Sequence, residues 1–114
     1  MADATEDFFE ALAHRGHEPL LEKASGTVRF DLTDGKRSER WLVEIDKGDI
    51  AVSRRQARAD LVMRCDKALF DRVAKGRENA FAALLRGAVD AEGEVQLMMM
   101  FQRLFPSPPK RRAR

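Results

Sequence analysis

The sequence predicts an α+β protein with a largely antiparallel sheet. Alternating apolar and polar residues, typical of strands, dominate residues 27–65, and helical spacing of apolar residues occurs on either side of this region. The strand-like runs follow one another without an intervening helical pattern, which favours antiparallel pairing. The length of 114 residues is enough for one hydrophobic core, so we expect a single domain.

The first predicted element is a helix within residues 6–24. Phe8, Phe9 and Leu12 recur at helical spacing, and Gly16 interrupts the pattern. Because proline is favoured in the first turn of a helix, we expect a second short helix to begin near Pro19.

Four strands are predicted next. The first covers residues 27–33, where apolar side chains alternate with polar ones and therefore predict one wet face. Residues 40–53 predict a hairpin with a tight turn at Lys47 and Gly48. The fourth strand is expected over residues 59–65, after an exposed basic loop with the sequence RRQAR.

Helical patterns return after the fourth strand. Asp66 is expected to cap a helix that ends at Gly76, and Asn79 to begin another that ends at Gly87. A short strand is expected within residues 87–93, and a last helix follows over residues 94–105.

The last helix is more apolar than a surface helix needs to be. Gln96 and Arg103 mark a narrow polar stripe, with Val95 and Met99 on one side of it. The broad face on the other side consists of Leu97, Met98, Phe101, Leu104 and Phe105. We therefore expect the helix to bury a second face, either centrally in the core, along an apolar cavity, or against a second copy of the chain. Methionine suits a cavity wall because its flexible thioether packs around differently shaped guests.

Five motifs occur in order along the chain. They are GTVRFDLTDG, a strand bearing Trp41, ADLVMRC, LFDRVAKGRENAFAALLRGAVDAEGEVQL and LMMMFQRLF. Together they resemble the sterol carrier protein 2 family of lipid-transfer domains, over nearly the whole chain from Phe8 to Phe105. The most specific part is the spacing of Leu69, Phe70, Gly76, Gly87 and Gly93.

The resemblance implies a five-stranded, mainly antiparallel sheet covered by helices, with an apolar tunnel between sheet and helices. It implies non-catalytic binding and transfer of fatty acyl, acyl-CoA or sterol-like lipids. We therefore expect a lipid-binding domain at residues 1–105. Because prolines stop the helix and the charges stay hydrated, we expect a disordered basic tail at residues 106–114. Carried over by position, the tunnel lining is Trp41, Phe81, Leu84, Leu85, Leu97, Met98, Phe101 and Phe105.

A large empty tunnel would be unstable. A void of about 400 Å³ would cost roughly 10 kcal/mol at about 24 cal/mol per Å³, which rivals the stability of a whole domain. We therefore expect the tunnel either to hold a ligand or to be partly collapsed by its Met and Phe side chains.

The composition argues against catalysis, metal binding and bound cofactors. With one cysteine, Cys65, the chain has no internal disulfide and no thiolate cluster. His14 and His17 have no third ligand nearby in the sequence, and nucleophile-elbow, phosphate-loop and dinucleotide motifs do not occur. The acidic N-terminal segment is unlike a signal peptide and no run of 18 apolar residues occurs, so we expect a cytoplasmic protein.

The net charge of +2 is unevenly distributed. Four cations lie at the C-terminal end, Lys110, Arg111, Arg112 and Arg114, which leaves residues 1–109 with a net charge of −2. A nucleic-acid partner is therefore not expected for the folded part. The basic tail predicts weak contact with an anionic membrane.

A second function also fits the apolar last helix. The domain would then resemble the same family but have a closed cavity, and it would serve as a dimerisation or interaction module for enzymes of lipid or quinone metabolism.

Overall fold

The computed structural model describes residues 3–106. Its helices are α1 (Ala4–Arg15), α2 (Lys67–Ala74), α3 (Ala80–Leu85) and α4 (Val95–Phe101). Its strands are β1 (Ser25–Asp34), β2 (Arg37–Asp46), β3 (Asp49–Ser53), β4 (Leu61–Asp66) and β5 (Asp90–Gly93). Two short 3-10 helices cover Pro19–Leu21 and Gln102–Leu104. The predicted tail, apart from Pro106, lies outside the described residues.

The five strands form one sheet in the order β3-β2-β1-β4-β5. Three of the pairs, β1 with β2, β2 with β3 and β4 with β5, are antiparallel, whereas β1 and β4 are parallel. The predicted α+β class and mainly antiparallel sheet are therefore confirmed, with one parallel pair that the pattern did not reveal.

The parallel pair requires the chain to cross the sheet. Since β3 lies at one edge and β4 pairs with β1, residues 54–60 pass over β2 and β1. The Arg29 Nη1 donates a hydrogen bond of 3.0 Å to the Ala57 carbonyl oxygen. Leu42, which is paired with Arg29, is 1% exposed. The crossing segment thus covers the face of the sheet that the helices leave open.

The opposite face of the sheet carries the core. Val28, Phe30 and Leu32 of β1 are almost completely buried, as the alternation predicts. The ring of Phe9 on α1 stacks on Phe70 of α2, with centroids 5.4 Å apart, and contacts Phe30 edge-on at 5.2 Å. Aromatic contacts of this kind hold α1 and α2 against the centre of the sheet.

Side-chain caps mark where two of the helices begin. Asp3 caps α1 by accepting hydrogen bonds from Thr5 and Glu6, so that helix begins earlier than the apolar spacing indicates. Asn79 caps α3, as expected, by accepting from the Ala82 amide. Asp66 precedes α2 but makes no cap; its carboxylate instead accepts a hydrogen bond from the Thr33 hydroxyl.

The last helix is shorter than expected. The α-helical part ends at Phe101, and the chain continues as the 3-10 helix Gln102–Leu104 before it becomes extended at Phe105. Within residues 3–106, α1 is the longest helix with 12 residues, and none of the described helices could span a bilayer.

Gly93 ends β5 at a point where two backbones nearly touch. Its φ is 122°, and a Cβ atom there would lie 2.1 Å from the Asp60 carbonyl oxygen. The next amide, of Glu94, donates to that same oxygen at 2.9 Å. Only glycine fits this approach between β5 and the start of β4.

Candidate functional site

An apolar cavity lies between the sheet and helices α3 and α4. Its floor is formed by two residues of β1 and two of β4, namely Val28, Phe30, Leu61 and Met63. Its roof is formed by Ala80, Phe81, Met98, Phe101, Gln102 and Phe105. The sheet and the two helices therefore enclose a space with an almost entirely apolar lining.

A second apolar cavity lies directly beside the first, under α2 and α3. The two cavities share four lining residues, Phe30, Met63, Ala80 and Phe105. The remaining wall of the second cavity consists of Cys65, Leu69, Phe70, Val73 and Val89. The two cavities are therefore neighbours that share part of their walls.

Both cavities are small in this structure. Each has a volume of only ≈ 20 Å³, which is room for about one water molecule. The tunnel expected from the sequence is therefore not open, because Met and Phe side chains occupy it.

Phe105 stands at the junction of these spaces. It lines both cavities and also a polar surface basin on the outside. Its ring stacks on Phe8 with centroids 4.9 Å apart and contacts Phe70 and Phe101 edge-on at 5.6 and 5.7 Å. Phe105 is only partly buried and follows the last helical turn, so its ring lies between the apolar interior and the surface.

The structure brings together half of the side chains predicted to line the tunnel. These are Phe81, Met98, Phe101 and Phe105, which line the first cavity. Leu84 packs between the two hydrophobic clusters beside them, and Leu97 is buried in the main core next to Gly26. Their role in binding a lipid stays a prediction.

The placement of Leu85 in the lining is wrong. Its side chain is 72% exposed, whereas Ala83 on the same helix is fully buried. Because α3 has only six residues and turns Ala83 towards the sheet, its last position points to solvent. The apolar face predicted for this helix therefore should not include Leu85.

The placement of Trp41 on the cavity floor is also wrong. Its ring stacks on Phe9 at 4.6 Å, and the guanidinium carbon of Arg54 lies 4.1 Å from its centroid. The indole Nε1 donates to the Glu39 carboxylate at 2.6 Å. Trp41 therefore packs against α1 and lines neither cavity, although its strand partner Phe30 lines both.

The second apolar face of α4 is not buried, contrary to expectation. Val95 is 64% exposed and Met99 is 43% exposed. They lie on α4 near the 3-10 helix Pro19–Leu21, where Leu20 is 48% exposed. Leu97, Met98 and Phe101 satisfy the core without them, because this seven-residue helix lies over one part of the sheet rather than through the centre of the domain.

The lining residues named from the sequence do not include Phe30, Met63 and Ala80, which line both cavities. The alternation in β1 and β4 places Phe30 and Met63 on the inner face, but it does not show which strands are neighbours. In the structure, Phe30 and Met63 are paired across the parallel β1 and β4 strands. The register of this pair would have identified Phe30 and Met63 as neighbours on the inner face.

Cys65 contributes to the wall of the second cavity as a neutral thiol. Burial, together with the nearby Asp66 carboxylate, raises its pKa to about 11. The thiol is therefore protonated near neutral pH and behaves as a small apolar group. Residues 3–106 contain no group of three or more His, Cys, Asp or Glu side chains placed to hold a metal ion.

Comparison with known proteins agrees with the architecture. The sequence model of the SCP-2 sterol transfer family matches residues 8–106 of this chain. Hydroxysteroid dehydrogenase-like protein 2 of Xenopus laevis is 23% identical over 106 residues, which cover 91% of this chain and 25% of that protein. The chain thus spans a quarter of the length of this curated relative.

Two solved structures show the same fold. The sterol carrier protein domain 2 of Helicoverpa armigera has a TM-score of 0.72 at 19% identity, covering 89% of this chain and 84% of that one. Sterol carrier protein 2 of Aedes aegypti, solved in complex with palmitate, has a TM-score of 0.69 at 16% identity, covering 90% and 94%. With the family match extending over most of its length, the chain belongs to the SCP-2 sterol transfer family.

Proposed function

We propose that this domain binds single-chain lipids in the joined apolar space between the sheet and helices α2, α3 and α4, and transfers them without chemical change. The observation that carries the proposal is the pair of adjoining apolar cavities, which share four lining residues. Family membership supports lipid binding, and the similar Aedes aegypti protein was solved with palmitate.

Lipid entry requires the interior to expand. Met63 and Met98 lie on opposite walls of the first cavity, and their unbranched side chains can repack around an acyl chain. A sixteen-carbon chain gains on the order of 10 kcal/mol when it leaves water, at roughly 0.8 kcal/mol per methylene. Association and ordering take back at least about 4 kcal/mol, which leaves an affinity in the micromolar range.

Saturating palmitate is expected to stabilise the purified domain. At a free concentration 100 times the dissociation constant, binding to the folded state alone adds about 2.7 kcal/mol. For a domain of this size the melting temperature should rise by roughly 10 °C. Differential scanning fluorimetry measures the shift, and native mass spectrometry should show one palmitate per chain. Absence of both signals would contradict lipid carriage.

A second function is favoured by the small size of both cavities and by the exposed apolar face of α4. The domain would then be a closed module that dimerises through Val95 and Met99. The same mass spectra distinguish the two functions, because a closed module is expected to be a dimer that takes up no palmitate. A monomer that binds palmitate supports the lipid carrier.

We further propose that the basic tail draws the domain towards anionic membranes. Four cations at about 1 kcal/mol each give weak attraction that salt weakens. The full chain is expected to bind phosphatidylserine-containing vesicles at low salt, and a chain truncated after Phe105 is not. A full-length variant with glutamine at residues 110, 111, 112 and 114 controls for chain length. Equal vesicle binding by the full and truncated chains would dismiss the role of the tail.

A further inference from the structure

A polar basin opens beside the first cavity on the solvent side. It has a volume of ≈ 270 Å³, and its polar lining comes from Asn79, Gln102 and Arg103. Ala80, Gln102 and Phe105 line both this basin and the apolar cavity. A lipid whose chain occupies the cavity can therefore place its head group in the basin without crossing another layer of the protein.

Asn79 and Arg103 can offer hydrogen-bond donors to the basin. The Asn79 Oδ1 accepts from the Ala82 amide at 2.8 Å, which leaves the Asn79 side-chain N–H groups free to donate elsewhere. Arg103 is exposed, and no ion pair within residues 3–106 involves it. Its guanidinium is thus available to an incoming anion.

The acidic residue next to Asn79 does not cancel this positive charge. Glu78 is paired with both Arg72, whose Nε lies 3.1 Å from its Oε1, and Arg86. These guanidiniums hold the pKa of Glu78 below its usual range, with Arg86 the larger influence. Because two arginines compensate the carboxylate of Glu78, that carboxylate does not offset the charge of Arg103.

We propose that the basin binds the carboxylate of a free fatty acid whose chain lies in the apolar cavity. The inference rests on the proposed lipid-binding function and narrows its ligand class to unesterified long-chain acids. A guanidinium offers paired N–H donors that match the two oxygens of a carboxylate, and the amides of Asn79 and Gln102 supply further neutral donors. The single unpaired guanidinium matches a head group with a single negative charge.

The test compares lipids of one chain length on the full-length protein. Palmitate, hexadecanol and hexadecyl phosphate are titrated against the wild type and the Arg103→Gln variant by displacement of a fluorescent fatty acid. The substitution is expected to raise the dissociation constant of palmitate about tenfold, because a charge-assisted hydrogen bond is lost. The dissociation constant of hexadecanol is expected to change by less than about twofold, since its hydroxyl carries no charge.

Arg37→Gln is the matched control, because Arg37 is an exposed arginine at the start of β2, in the turn from β1. It removes the same charge and is expected to leave all three affinities unchanged.

An unchanged affinity of Arg103→Gln for palmitate would overturn the basin assignment and leave lipid binding intact, provided that the wild type binds. Hexadecyl phosphate bound tenfold more tightly than palmitate by the wild type would also overturn it, in favour of a phosphate head group. Failure of the wild type to bind any of the three lipids would overturn both the basin and the proposed function.

Discussion

Replacement of Gly93 by alanine is expected to remove most of the stability of the domain or to prevent folding. The added Cβ would lie 2.1 Å from the Asp60 carbonyl oxygen, which is a backbone atom and cannot rotate away. The backbone conformation itself costs a non-glycine residue about 1–3 kcal/mol. Relief of the clash would also separate Gly93 from its partner Leu61 and so detach β5 from β4. The total loss should exceed about 3 kcal/mol, as measured by urea denaturation.

Gly87→Ala is the matched control for this experiment. Gly87 also has a positive φ, of 81°, but nothing lies within 4 Å of an added Cβ. The substitution should therefore cost only about 1–2 kcal/mol, the penalty for a left-handed residue. Equal losses for the two variants would show that the close approach at Gly93 is unimportant.

Met98→Glu is expected to abolish palmitate binding. Met98 is 7% exposed and lines the first cavity. An ionised carboxylate in the cavity would weaken binding of the apolar chain, because the bound chain would remove the charge from water at a cost of several kcal/mol. Fluorescent fatty-acid displacement measures the loss, and circular dichroism establishes whether the fold is retained. Met99→Glu is the control, because the neighbouring side chain on the same helix is 43% exposed and should tolerate the charge.

Ala80→Leu tests the same space without a charge. Ala80 lines both cavities and the basin, so the larger side chain would occupy their junction. Overpacking should cost about 1–3 kcal/mol while the fold persists, and palmitate affinity should fall. Undiminished palmitate binding by either folded variant, Met98→Glu or Ala80→Leu, would contradict the location of the site.

The strands could be predicted because burial on one face imposes a period of two. The inner residues of β1 follow the expected alternation. An apolar side chain placed on the outer face would stay in water and lose the free energy of burial. The pairing partners of a strand could not be predicted in the same way, because alternation shows which face is buried and not which strand lies beside it. The parallel pairing of β4 with β1 depends on the crossing segment at residues 54–60, whose sequence carries no equivalent signal.

The candidate site could be predicted only in part for a related reason. Met98 and Phe101 belong to the most apolar helix, so their burial is expected from composition. Leu85 and Trp41 are equally apolar, but their surroundings depend on how α3 and α1 are rotated and placed over the sheet. The sequence places Arg103 in a polar stripe of the last helix but does not show that it lies near Asn79. That arrangement depends on how the last turn packs near the start of α3.

The parallel contact between β1 and β4 also determines the order in which the domain can assemble. The first three strands form a meander through sequence-local turns, whereas the β1–β4 pair joins Val28 to Leu61 across the intervening hairpin. Contacts of such sequence separation form slowly, because a long loop must close before they add stability. We therefore expect the floor of the cavity to be completed late in folding. An acyl chain that binds only the finished enclosure would act as a chaperone for this last step, favouring the folded state over its partly assembled precursor.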